Sequence, residues 1–510
     1  YSSTNIQVEG VDEADIVKND GKYIYVVSGS KVIILEAFPA EQMEILSEIN
    51  VTGVSDLFIN GDKLIAFSND YSQDSTATAS IYDISDRSSP ELEHDISVDG
   101  YYVTSRMIGD YVYLVANKYT GYDGPVLPMI AVDGVSEKIA ATDIAYFPNH
   151  DSSYTFTNIL AININDGDYD SKTYLAGASN TIYVSENNIY LTYTKMVSYN
   201  TYFEEIVNEV FVPLVPSNIG DEILEIMTSK ENRPDYERYQ EVSEIVQDYS
   251  NSLRGSEKES FDMRLSEKTE EFADDFQKRT EKTVMHKIEV DGLDISYITN
   301  GEVPGHLLNQ YSMDEHEGNF RVATTTGNSW GSRSSSLNHL YVLNEDLEIV
   351  GSIDDMAKGE RIYSTRFMGD RAYMVTFRQV DPLFVMDLSN PEDPKVLGQL
   401  KVTGFSSYLH PYYENHVIGI GKEASEEGRV QGLKIALFDV TDVANPIEKA
   451  KYEVKEEWSD SNALYDPKAF LFNKEKELLV LPVTYSEPME QVGDGVSRYW
   501  NYNYWQGAFV

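Results

Sequence analysis

Residues Ser80 to Val98 read SIYDISDRSSPELEHDISV, and the same order of residue types returns twice. The other copies are LFVMDLSNPEDPKVLGQLKV (Leu383 to Val402) and IALFDVTDVANPIEKAKYEV (Ile435 to Val454). Each begins with alternating β-branched and aromatic residues, which suit a strand. An Asp followed by Ser or Thr then starts a side-chain-to-backbone turn, Pro fixes a φ inside it, and a second strand follows. VIILEAFPAEQMEILSEINV (Val32 to Val51) and LYVLNEDLEIVGSI (Leu340 to Ile353) are weaker copies.

Ahead of each copy stands an apolar strand, a tight Gly, Asn or Asp turn, and another apolar strand. LFINGDKLIAF (Leu57 to Phe67), MIGDYVYLV (Met107 to Val115) and FMGDRAYMVTF (Phe367 to Phe377) show it. Together the two patterns make a four-stranded antiparallel unit. Units start near Ala14, Ser55, Thr104, Asn180, Leu307, Ser364, Ser406 and Ala463. That is about eight units of roughly 50 residues, the period of propeller blades. A small sheet cannot bury both faces alone, so the units must stack around an axis. The expectation is an all-β chain, a β-propeller of about eight four-stranded blades, with seven as the alternative.

Residues 197–282, inside the fourth unit, break the period. Ile223, Ile226 and Met227, then Tyr239, Val242, Ile245 and Val246, recur at helical spacing. Ser256 and Glu259 suggest a capping box ahead of a strongly charged helix that packs by a thin stripe. The division is therefore 1–196 and 283–510 as propeller, with 197–282 as a helical insertion. This is either a solvated decoration or a partner-binding arm or lid.

Composition bounds the function. The 510 residues carry 85 acidic and 40 basic side chains, a net charge of −45, with 41% hydrophobic residues and no cysteine. A large core is available, thiol and disulfide chemistry is excluded, and a field this negative repels nucleic acid. No apolar run is long enough for a membrane helix. Tyr1 in place of Met suggests a removed leader or tag.

The opening NIQVEGVDEADIVKNDGKYIYVVSG (Asn5 to Gly29) resembles a family of secreted prokaryotic proteins, common in archaea, with a β-propeller distantly related to WD-type repeats. EVPGHLLNQYSMDEHEGNFRVATTT (Glu302 to Thr326), LHPYYENHVIGIGKE (Leu409 to Glu423) and YWQGAFV (Tyr504 to Val510) extend the resemblance. It implies the propeller fold and export to the cell surface or beyond, and brings no catalytic residue. The last unit supplies three strands up to Val510. Its open edge calls for a cover: the stretch Asn5 to Val11, further residues, or another chain.

Among candidate chemical groups, Arg106 and Arg366 share a register in YVTSRMIGD and IYSTRFMGD. On innermost strands they would pair with neighbouring carboxylates or line a pocket for an anionic ligand. Asp166, Asp168 and Asp170 alternate as in a calcium loop, although the twelfth position is Gly177 where an EF-hand needs Glu; a solvated hairpin tip is the other reading. Asp12, Glu13 and Asp15 would bind a cation or anchor a blade. Gly327 to Gly331 fits G-x-S-x-G but lies in a small-residue loop, not a strand-to-helix elbow. The eight histidines lack zinc spacing and are expected at the surface, with His306 and His316 placed to meet across one loop. Aligned inner positions hold Asp56, Arg106, Arg366 and His410, a mixed set. The favoured function is a non-enzymatic binding or structural scaffold, joined to protein partners or to itself through the insertion or the terminal blade edge. The alternative is a secreted hydrolase in the propeller mouth, with calcium as its candidate cofactor.

Overall fold

The structure, a computed structural model, describes residues 4–510 apart from 72–74, 122–123, 148–153, 180, 196, 230–233, 328–334, 379–380, 426–428, 455, 457 and 489–501. Among the described residues, eight sheets succeed one another along the chain. Their first strands are Val17–Asn19, Val54–Asn60, Tyr101–Ile108, Thr181–Val184, Met313–His316, Arg361–Met368, Phe405–Tyr413 and Leu471–Asn473. Blades 1 to 7 each have four consecutive antiparallel strands, and blade 8 has three. The fold is a β-propeller, as the repeat predicts.

The repeated motif acts as read. Asp83, Asp387 and Asp439 end third strands, and each carboxylate accepts from the backbone N–H two residues on, at Ser85, Ser389 and Thr441 (2.8, 3.0 and 3.0 Å). These turns also set the spacing between blades. Gly301, Gly351 and Gly398 sit in fourth strands, where a Cβ would fall 2.4, 2.2 and 2.2 Å from the carbonyl oxygens of Leu347, Pro391 and Val443. Each of those oxygens belongs to the third-to-fourth-strand turn of the next blade. The backbones touch because glycine has no side chain there.

The helices lie between the second and third strands of blade 4, Asn188–Lys195 and Lys282–Asp291. They bury their own core, with Phe203, Tyr239 and Val242 packed among Ile223, Phe272 and Phe276. The charged helix Ser256–Thr280 contributes the thin stripe Phe261, Phe272 and Phe276. Its N-cap is Gly255 (φ 52°) with no side-chain cap, so Ser256 and Glu259 lie inside the helix and form no capping box.

A second insertion, which the sequence pattern does not mark, lies in blade 3. Between Tyr111–Tyr119 and Thr155–Asn163 of blade 3, the hairpin Met129–Val132 and Val135–Lys138 adds to the outer strand of blade 2 (Ile130 opposite Val98). Ile144–Tyr146 then runs parallel to Tyr169–Ala176 at the outer edge of blade 3. The insertion straps two blades together, making the blade 2 sheet six-stranded and adding a fifth strand to blade 3, whose sixth is Asp12–Glu13 of the N-terminal segment.

Asn5 to Val11 does not join the last sheet. It crosses the channel mouth: Asn5 donates to Tyr408 Oη (2.7 Å) and the Pro467 carbonyl (3.0 Å), and Gln7 to the carbonyls of Gln310 and Met313. Val11 is buried among residues of blades 3 and 4, including Val115 and Ile182. Asp12–Glu13 then pairs with the inner edge of blade 3, and Asp15 bridges to Leu57 of blade 2. The segment ties the start of the chain to blades across the ring. Polar backbone groups that the first strands leave unpaired at the axis give it partners.

Candidate functional site, the channel mouth

The beginnings of the first strands and the crossing segment enclose a cavity of about 390 Å³. Glu13, Asp56, Arg106, Gln310, Tyr311 and Lys468 are among its walls, with Tyr465 (78% exposed) at the rim. Its charges are mostly engaged. The Glu13 carboxylate accepts from the Gln7 N–H (3.0 Å) and the Gln310 amide (3.3 Å) and lies 3.7 Å from Arg106 Nη2. Arg106 itself donates to Thr104 Oγ1 (2.6 Å), the Ser105 carbonyl (2.8 Å) and Gln310 Oε1 (2.8 Å). Lys468 donates to the Ala14 carbonyl (2.9 Å) and stands 3.7 Å from Asp56. Burial pushes the Asp15 carboxyl up although Lys468 pulls it down. Such a wall, with hydrogen-bonding groups fixed by the fold, suits holding a polar ligand.

Arg106 thus meets a carboxylate, but one from the N-terminal segment and not from a neighbouring blade. Arg366 reaches the same Gln310–Ser312 turn, with its guanidinium 5.3 Å from the centre of the Tyr311 ring. Asp56 does not share the arginine position. First-strand bulges at Val54/Asp56, Tyr102/Thr104, Ile362/Ser364 and Ser406/Tyr408 align Asp56 with Thr104, Ser364 and Tyr408. Phe58 therefore stands level with Arg106, Arg366 and His410.

Asp166 and Asp168 lie in the turn between Thr155–Asn163 and Tyr169–Ala176, and Asp170 in the second of these strands, opposite Ala161. Asp166 accepts from the Asp168 N–H (3.0 Å), and Asp170 pairs with Lys172 (3.1 Å). Among the described residues, the one group of three with ligand atoms mutually within 4.8 Å is His316, Glu317 and Asp370, at the other end of the first strands. His306 and His316 take separate partners, Glu281 (2.7 Å) and Asp370 (3.5 Å). Ser329 of the G-x-S-x-G string lies outside the described residues.

Two histidines expected at the surface are buried. His286, 1% exposed, packs 4.3 Å from the Phe147 ring centre, and burial pushes it down to about 4. His339, 6% exposed, links Thr326 Oγ1 (3.0 Å) to Asp354 (3.2 Å) across three strands of blade 5. That chain has the order of a nucleophile, base and orienting acid, but the Thr326 hydroxyl is sealed between strands. His410 accepts or donates at Tyr408 Oη (3.0 Å), and burial, with the field of Arg366, pushes it down to about 3. Isolated histidines in strands of mixed pattern gave no sign of depth.

Between blades 7 and 8 an apolar cleft of about 570 Å³ is lined by Ile435, Tyr452, Leu481, Trp505 and Phe509. Among the described residues no strand pairs with the outer side of Tyr502–Phe509. No described helix is long and apolar enough to cross a membrane.

Radial sheets around a threaded channel, with a polar mouth, define a β-propeller of the scaffold or binding kind. The chain belongs to the Beta propeller domain family, which it matches over residues 1–510. It is 34% identical over 484 residues to an uncharacterized protein of Methanocaldococcus jannaschii, covering 94% of this chain and 74% of that one. An uncharacterized protein of Archaeoglobus fulgidus is 33% identical over 514 residues, covering 94% and 75%. Solved propellers are similar at low scores. Hsv2 from Kluyvelomyces marxianus has TM-score 0.34 and 8% identity over 85% of this chain and 95% of its own. The propeller domain of the trilobed protease from Pyrococcus furiosus has TM-score 0.24 and 10% identity over 79% and 98%.

Proposed function

We propose that the protein is a non-enzymatic scaffold at the cell surface or outside the cell, and that its helical insertion is the arm that engages a protein partner. The independent core of the insertion carries this reading. Twelve buried residues, all between Phe203 and Phe276, form one cluster separate from the blade cores. A module with its own core keeps its shape while standing off the ring, and it presents Tyr199, Tyr236 and Met263, each more than 60% exposed. The resemblance to exported proteins and the solvated acidic surface support the location.

The reading extends to the outer edge of Tyr502–Phe509. Its eight residues, YNYWQGAF, carry no charge. Of the third strands inside complete blades, LNHLYVL and TFTNILAIN are equally uncharged, while the others carry at least one charge. Fourth strands such as IEKAKYE are not. The edge has the composition of a strand that is covered.

The test uses intact cells of a native source and the full-length protein. Lysine cross-linking should join Lys258 or Lys268, both in the insertion, to one recurrent second protein, and external protease should clip the protein on unbroken cells. Cross-links confined to the chain itself, with protection until lysis, would sink both halves of the proposal.

A further inference from the structure

Three cations occupy one equivalent place in the first strands. Lys18, Arg106 and Arg366 lie opposite Tyr25, Tyr113 and Tyr373 of their second strands. They are 7%, 7% and 9% exposed, so all three charges are buried. The crossing segment neutralises two of them. Asp12 pairs with Lys18 at 2.8 Å, and Glu13 with Arg106 at 3.7 Å.

The third has no such partner. Arg366 Nε and Nη1 are buried and make no hydrogen bond to a described residue. The groups around it are Tyr311, whose ring it overlies, with Tyr408, His410 and Asp314 in its electrostatic reach. Burial keeps the two phenols and the imidazole neutral. The Asp314 carboxylate is already bonded to Arg321, at 2.9 Å from Nε and again through Nη2. Ser312, fully buried on the turn that packs against the Arg366 strand, also has an unpartnered hydroxyl. A guanidinium cannot lose its proton, and an unpaired buried charge is costly. Of the three equivalent cations, Arg366 alone is left without an acid of its own.

We propose that the channel binds a small monoanion, a halide or a carboxylate, against Arg366, with the Ser312 hydroxyl as a second donor. The site is separate from the insertion and stands whether or not the insertion binds a partner. It also explains why one of three equivalent cations is left without an acid from the chain.

Bromide is the probe. Crystals of the full-length protein soaked in bromide should give an anomalous peak within about 3.5 Å of Arg366 Nε or Nη1. In solution, bromide should raise the melting temperature saturably, by roughly 2–4 °C, and Arg366→Met should abolish the rise. Arg366→Lys, which keeps the charge, should retain part of it. Acetate displacing the peak would assign the natural ligand to carboxylates; bromide persisting under acetate would assign it to halides. Ordered water in place of the peak, or an equal temperature rise in wild type and Arg366→Met, would overturn the proposal. If Arg366→Met does not fold, the wild-type anomalous map decides alone.

Discussion

Glu13 and Arg106 face each other twice, as register partners across the inner edge of blade 3 and as an ion pair at 3.7 Å. Both are buried, at 5% and 7% exposure. The pair locks the crossing segment to the ring and removes a charge from the channel mouth. Glu13→Gln should cost about 3 kcal/mol, because it strands a buried guanidinium. Arg106→Met on that background should recover part of the loss. Urea unfolding of the single and double variants measures both; additive losses would show that the pair does not act as a unit.

Acid should weaken the fold before carboxylates titrate. The folded-state values of His286 and His410 lie below the ordinary histidine range, at about 4 and about 3. Their neutral forms are favoured by folding, so this contribution is complete above about pH 6.5 and falls as pH drops toward those values. For His286 the loss is on the order of 3 kcal/mol. Stability curves from pH 7 to pH 4 should show the decline, and His286→Phe, which keeps the contact with Phe147, should remove roughly half of it, with His410 supplying the rest.

The insertion should be removable. Lys195 and Lys282 are register partners, so the strands on either side already meet as a hairpin. Replacing residues 197–280 with a tight turn should leave a folded β-protein, read by circular dichroism and a cooperative melt. Loss of the fold would show that the helices are part of the ring's core.

The close approach of adjacent blades should be intolerant of side chains. Gly398→Val places atoms against the Val443 carbonyl and should cost about 3 kcal/mol. Gly369, with φ 54° and nothing within 4 Å of a built Cβ, bounds the effect of conformation alone, so Gly369→Ala should cost only about 1 kcal/mol. Thermal melts of the two variants distinguish sterics from backbone strain.

Much of the ring was legible because its signals are local. Alternation, the Asp and Pro turn, and the tight first hairpins each depend on residues within one blade, and repetition multiplied them. The helices were legible from spacing for the same reason. The strap of residues 120–154 was not, since its short strands take their partners from blade 2 and the far edge of blade 3. Asp56 falls two residues short of the arginine position: counted back from the Gly-Asp turns at Gly61, Gly109 and Gly369, it is Phe58 that aligns with Arg106 and Arg366. The burial of His286 and His339 is not legible in the sequence because it is a property of stacked blades.

The sequence by itself determined the repeating unit, the insertion in the fourth blade and the shared register of Arg106 and Arg366. Only the tertiary structure decided that Asp12 and Glu13 travel to Lys18 and Arg106 while Arg366 keeps its charge. The reason is distance along the chain. Arg366 lies more than 350 residues from the crossing segment, and only closure of the ring brings Asn5, Tyr408 and the Gln310–Ser312 turn into one channel.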